Sequence, residues 1–101
     1  MSHRLTVQYF EPTDGPAFEA AYRERHVPLV RAVPGLRSFT LTRPRGGEGT
    51  PYLVAELWFD DAAAFEAAMT STEIAATGAD AETYDVARKV MFSGDVDDVT
   101  S

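Results

Sequence analysis

Residues 52–59 read Tyr-Leu-Val-Ala-Glu-Leu-Trp-Phe, and Asp60 and Asp61 follow. The run is apolar everywhere except Glu56 and has the length of a strand rather than a helix. Successive side chains of a strand point to opposite faces. If Leu53, Leu57 and Phe59 face one way, Val54 and Trp58 face the other, so both faces of this strand demand cover. Upstream, Pro44 to Pro51 contains three glycines and reads as a hairpin loop. Before it, Leu36 to Arg43 alternates, with Phe39 and Leu41 on one face and Ser38, Thr40 and Thr42 on the other. Downstream, Asp60 and Asp61 cap a helix from Ala62 to about Thr70, with Phe65, Ala68 and Met69 turned inward.

The flanks complete the pattern. Leu5, Val7 and Tyr9 alternate with Thr6 and Gln8, which gives a strand from about Arg4 to Glu11. Thr13 or Asp14 can cap the next helix, with Pro16 tolerated in its first turn. Phe18, Tyr22, His26, Leu29 and Val33 then recur at helical spacing from about Gly15 to Val33. Pro28 lacks an N–H and clashes with the carbonyl of Glu24, so a kink is expected, or an early end near Val27 followed by another turn. Pro34-Gly35 closes the segment. Ser71 to Tyr84 is rich in Ala and Thr and is expected to hold a short helical turn. Asp85 to Ser93 reads as a fourth strand. Residues 1–94 thus form one domain, and the acidic residues 95–101 form a flexible C-terminal tail. The order β-α-β-β-α-β predicts an α+β, ferredoxin-like fold, a four-stranded antiparallel sheet with its helices on one face.

Two helices cover one face of such a sheet. Val54, Trp58, Val90 and Phe92 then remain for the other, and the simplest cover is a second copy of the same sheet. A homodimer through the open sheet face is the expectation. A monomer with a partly apolar open face, or with a loop folded over it, is the alternative.

Composition limits function. The chain has 101 residues, 45% hydrophobic and 25% charged, which is ordinary for a globular domain. Its net charge of −7 lacks the basic footprint of a nucleic-acid or anionic-membrane binder. There is no cysteine, so disulfides, zinc–thiolate sites, iron–sulfur clusters and a Cys nucleophile are excluded within the chain. Two histidines, His3 and His26, cannot build a three-histidine metal site. No apolar run approaches a membrane span, and the polar start Met1 to Thr6 does not read as a signal peptide, so a cytoplasmic location is expected. Gly46-Gly47-Glu48-Gly49 lies between two strands and is a hairpin rather than a phosphate loop.

His26 is the sharpest candidate for chemistry. It sits on the apolar stripe of the first helix, where a neutral imidazole can exchange a proton near pH 7. Tyr22, four residues earlier, shares that face. A core histidine satisfied by a backbone carbonyl has the same pattern. Glu56 could orient a histidine or a substrate, or could pair with Arg37 or Arg88 at an interface. Trp58, Tyr9, Phe39 and Phe65 could line a cavity for a flat ligand or could be core. Arg23 and Arg25 could attract a phenolate, or belong to a solvated helix face.

Tyr22 to Leu36, Tyr-Arg-Glu-Arg-His-Val-Pro-Leu-Val-Arg-Ala-Val-Pro-Gly-Leu, resembles the signature of the EthD family, within the dimeric α/β-barrel superfamily. The carrying pieces are an aromatic residue four before a His, then Pro-Leu, then Pro-Gly-Leu opening a strand. Ala55 to Asp61 resembles the family more loosely. The resemblance implies a homodimer whose two sheets form a barrel, with a pocket between sheet and helices in each subunit faced by His26. It fixes the fold better than the reaction.

Three readings follow. The first is a cofactor-independent enzyme of monooxygenase, cyclase or dehydratase type acting on a small aromatic or polyketide-like substrate. His26 would be its acid or base and Tyr22 would hydrogen-bond an oxyanion. The second is a non-catalytic accessory or carrier protein holding a hydrophobic metabolite in the same pocket. The third is a haem protein with His26 as ligand, disfavoured because so small a domain has little room for a macrocycle.

Overall fold

The computed structural model describes residues 1–100. Its elements are β1 (Ser2–Pro12), α1 (Gly15–Ala21), a π-helical turn (Tyr22–His26), α2 (Val27–Arg31), β2 (Leu36–Thr42), β3 (Leu53–Phe59), α3 (Ala62–Met69), α4 (Thr72–Ala81) and β4 (Val86–Val96). The sheet order is β2-β3-β1-β4, antiparallel throughout, which is the ferredoxin-like arrangement. Within one chain the sheet is open and not closed into a barrel. The molecule is 18 Å along its thinnest axis, the depth of one sheet and one helix layer.

Side-chain caps start the helices. Asp14 accepts from the Ala17 N–H at 3.0 Å, Asp61 from Ala64 at 2.8 Å and Ser71 from Ile74 at 3.1 Å. Asp60 instead takes the Arg37 guanidinium at 2.7 Å. Helical structure continues through Pro28. The Val27 N–H reaches back five residues to the Tyr22 carbonyl, and the helix continues to Arg31 after this wider turn. A wider turn relieves the crowding that a proline ring imposes on the preceding carbonyl. Gly35 then adopts φ +79°, a left-handed conformation that glycine tolerates without strain.

Register divides the sheet into two faces. Leu5, Val7 and Tyr9 lie opposite Leu57, Ala55 and Leu53, and all turn toward the helices. A register shift between Leu36 and Ser38 lets Leu36 join Phe39 and Leu41 on that face. The alternate residues Val54, Trp58, Val90 and Phe92 share the opposite face. No helix covers them, and Phe92 is 48% exposed. Two elements are longer than their sequence suggested. Ser71 to Tyr84 holds a full ten-residue helix, α4, rather than a short turn. Strand β4 runs to Val96, with His3 opposite Asp95 and Ser2 opposite Val96, so the start of the acidic tail is paired in the sheet. The tail's last residue, 101, lies outside the described residues. No helix is long and apolar enough to cross a membrane among the described residues.

Phe59 ends β3 beneath α3, 1% exposed and edge-on to Phe65 at 5.7 Å. Phe59→Ala is expected to cost about 3–5 kcal/mol in urea denaturation. A loss below about 1 kcal/mol would contradict this packing.

Candidate functional site

The π-helical turn sets the site. It brings the Tyr22 and His26 rings to 4.7 Å centroid separation, tilted by 35°. Both side chains are buried, at 1% and 5% exposure. Tyr9 of β1 meets Tyr22 edge-on at 5.6 Å. These three aromatic groups form one wall of a cavity of about 240 Å³ between sheet and helices. Leu57 and Ala55 of β3, Val30 of α2 and Ile74 of α4 make most of the remaining surface apolar. Glu82, Lys89 and the largely exposed Met91 mark its opening.

His26 is held from behind. Asp80 of α4 accepts from His26 Nδ1 at 3.0 Å. The same oxygen accepts from the Tyr84 hydroxyl at 2.6 Å, and the other oxygen from Arg25 Nε at 3.3 Å. Arg25 also lies over the Tyr84 ring at 5.2 Å and donates to Thr83 at 3.0 Å. With the Nδ1 proton directed at a carboxylate, neutral His26 carries its lone pair on Nε2. Nε2 makes no hydrogen bond to the described residues and is not sealed from solvent-sized space.

Burial pushes the His26 pKa below the ordinary imidazole value, against the raising effect of the Asp80 hydrogen bond and charge, and Lys89 lowers it further. For Asp80, burial alone would raise the value. Hydrogen bonds from Tyr84, His26 and Arg25 outweigh it and hold the carboxyl below the usual range. Burial pushes the Tyr9 phenol up to about 12, with the Tyr22 hydroxyl working the other way. It raises Tyr22 and Tyr84 too. At neutral pH the site therefore holds a neutral imidazole backed by a carboxylate, beside protonated phenols.

Among the residues singled out from sequence, His26, Tyr22 and Tyr9 come together here. Trp58 and Glu56 do not. The pleat places both on the open face, where Arg4 lies over the Trp58 ring at 5.4 Å and pairs with Glu56 at 3.3 Å. Within the chain Glu56 thus pairs with Arg4. Arg88 instead covers the Phe10 ring at 4.1 Å. Phe65 meets Phe59 edge-on and lies tilted against His3, and does not line the cavity. Phe39 faces a separate shallow groove with Val27 and Arg31. Asp80, Tyr84 and Lys89 were not singled out. The helical spacing of Ile74, Thr77 and Ala81 carried a signal for α4, masked by an Ala- and Thr-rich composition. Among the described residues, no group of three or more His, Cys, Asp or Glu side chains could hold a metal ion.

A pH consequence follows from His26. Its folded value lies below that of the unfolded chain, about 6.5, so the unfolded state binds the proton first. This contribution is complete above that pH and is lost as pH falls through the folded value. Asp80, also depressed, acts with the same sign in the lower window below the ordinary carboxylate value. The melting temperature is expected to fall between pH 7.5 and 5.5 in the wild type and to flatten over that window in His26→Gln. Equal slopes in the two proteins would show that His26 is not buried in its neutral form.

Comparison with known proteins gives consistent results. The EthD domain family model matches residues 11–84. An uncharacterized 11.0 kDa protein from the thcB–thcC intergenic region of Rhodococcus erythropolis is 34% identical over 74 residues, covering 70% of this chain and 72% of that one. An EthD family protein from Bacillus halodurans has a solved structure with TM-score 0.86 and 34% identity, covering 95% of this chain and 99% of that one. Two more distant structures share the fold alone. SnoaB, a cofactor-independent oxygenase from Streptomyces nogalater, has TM-score 0.66 and 16% identity, covering 98% and 96%. A dimeric ferredoxin-like protein of unknown function from Thermobifida fusca has TM-score 0.66 and 17% identity, covering 95% and 92%. With the family model spanning most of the chain and about a third of residues shared with a near-complete structural match, this protein belongs to the EthD family.

Proposed function

We propose that the protein is a cofactor-independent enzyme acting on a small aromatic or similarly enolisable substrate, with His26 as its proton-transfer group. The observation that carries this reading is the asymmetry of His26. Nδ1 is tied to the Asp80 carboxylate while Nε2 is left free in a ring that borders a mostly apolar cavity. His3 is likewise paired through Nδ1 with Asp95, but only the His26 ring lines this cavity.

In this reading Nε2 takes a proton from an enolisable C–H or a phenolic O–H. The electron pair stays on the substrate as an enolate or phenolate. Tyr22, with Tyr9 beside it, donates a hydrogen bond to that developing oxyanion. Both phenols suit the task because burial keeps them protonated. Asp80 orients the imidazole and stabilises the imidazolium that forms. Proton removal of this kind can open an oxygenation, a cyclisation or a dehydration, and a fold neighbour described as a cofactor-independent oxygenase is compatible with the first. The apolar walls equally suit a carrier that holds a metabolite without chemistry.

The working unit is a homodimer packed through the open faces of two sheets. Trp58, Val54, Val90 and Phe92 form an apolar surface that no helix covers among the described residues, with Arg4 lying over the Trp58 ring. A fold neighbour described as dimeric is in keeping with this.

Deuterium exchange from solvent into enolisable ring compounds that are uncharged at neutral pH, such as cyclohexanone and acetophenone, tests the reaction. The wild type is expected to accelerate exchange in at least one of them, and His26→Ala to lose roughly 100-fold or more of it. No acceleration, with His26 ring signals nevertheless shifting on addition of compound, would favour the carrier. Sedimentation should give about 22 kDa, twice the 11.0 kDa chain. Phe92→Glu should shift it to monomer, and a wild type already monomeric at micromolar concentration would remove the dimer.

A further inference from the structure

Lys89 is the single lysine of the sequence, in a chain whose net charge is −7. It lies on β4 directly opposite Tyr9, so the pleat turns it toward the helices and into the His26 cavity. Its side chain is largely buried, at 26% exposure. The residues of β4 on either side of it in the chain, Arg88 and Val90, face the other way. The nearby guanidinium of Arg25 is spent on Asp80 and does not line the cavity. Lys89 is thus the one cationic side chain in a space with mostly apolar walls.

Its partner is weakly held. Lys89 Nζ meets Glu82 Oε1 at 3.4 Å, and the Glu82 side chain is 80% exposed. A pair of that length and exposure is easily exchanged for another anion. An anion arriving in the cavity would draw on the same ammonium without desolvating a new cation.

Cavity size limits the rest of the ligand. An apolar cavity of about 150 Å³ accepts benzene. The 240 Å³ here has room for a small substituted ring system.

From these observations we infer that the cavity is selective for a small ring-bearing organic anion, a carboxylate or a stable enolate, whose charged group displaces Glu82 from Lys89. This inference rests on the reading of the His26 cavity as a ligand site and adds the class of ligand. It assigns Lys89 as the specificity-determining residue, with Glu82 as the competing anion.

Benzoate and benzamide test it, because they share shape and differ in charge. Binding to the full chain is followed by NMR through the Met69 and Met91 methyls and through the lysine side chain, which is unique in the sequence. Benzoate is expected to bind at least about fivefold tighter than benzamide, as for a partly buried charge-assisted hydrogen bond. Lys89→Met, which keeps the apolar stem, should bring the two affinities together. Glu82→Gln should tighten benzoate about two- to threefold and leave benzamide unchanged. Equal binding of the two by the wild type, or a preference that survives Lys89→Met, would overturn the inference while leaving the cavity as a ligand site. Failure of both compounds to move any cavity signal would overturn both. A preference abolished by Lys89→Met, with deuterium exchange absent throughout, would uphold the anion site and remove only the role of His26 as a base.

Discussion

A β-strand sends successive side chains to opposite faces, and the central strand β3 of this sheet is apolar on both. One helix layer satisfies one face. The other presents Val54, Trp58, Val90 and Phe92, an arrangement that a soluble monomer rarely leaves open. The same alternation decides chemistry. Tyr9 and Lys89 reach the cavity because they oppose one another on the covered face, while Glu56 and Trp58 are one position out of phase and cannot. A single-residue slip of register would exchange these sets.

The second constraint is the placing of an imidazole under a helix layer. Burial makes the charged form unfavourable, and an unpartnered buried nitrogen is costly. Asp80 meets the second cost without reversing the first, so His26 stays neutral with a defined tautomer. Asp80 in turn is a partly buried carboxylate, and Tyr84 and Arg25 offset its own desolvation. The network ties the π-helical turn to α4 and the loop after it. Stability and site geometry therefore share the same few hydrogen bonds.

Much of the architecture was legible in local pattern. Period-two runs located β1 and β2, an apolar run of strand length located β3, and the step of four from Phe18 through Tyr22 to His26 located the first helix and its inward face. Caps at Thr13 or Asp14 and at Asp60 and Asp61 were legible because short polar side chains before a helical run accept its first N–H groups, and the structure uses Asp14 and Asp61. The misread segment was Ser71 to Tyr84. Its many alanines and threonines give little amphipathic contrast, so a full helix passed for a single turn, and Asp80 and Tyr84 went unnoticed with it. The far end of β4 was missed for a related reason. Ser93, Gly94 and Asp95 lack strand propensity and are held by pairing with β1.

The sequence by itself determined the fold class, the inward face of His26 and Tyr22, and the excess of apolar surface on the sheet. Each of these depends on spacing along one element, where 3.6 and 2.0 residue periods translate position directly into direction. Only the tertiary structure decided which carboxylate meets His26, whether Lys89 enters the cavity and on which face Glu56 lies. Those facts join residues more than fifty positions apart, such as His26 and Asp80, or Tyr9 and Lys89. Local periodicity carries no information about such pairs, because they are set by how one element packs on another and by strand register across the sheet.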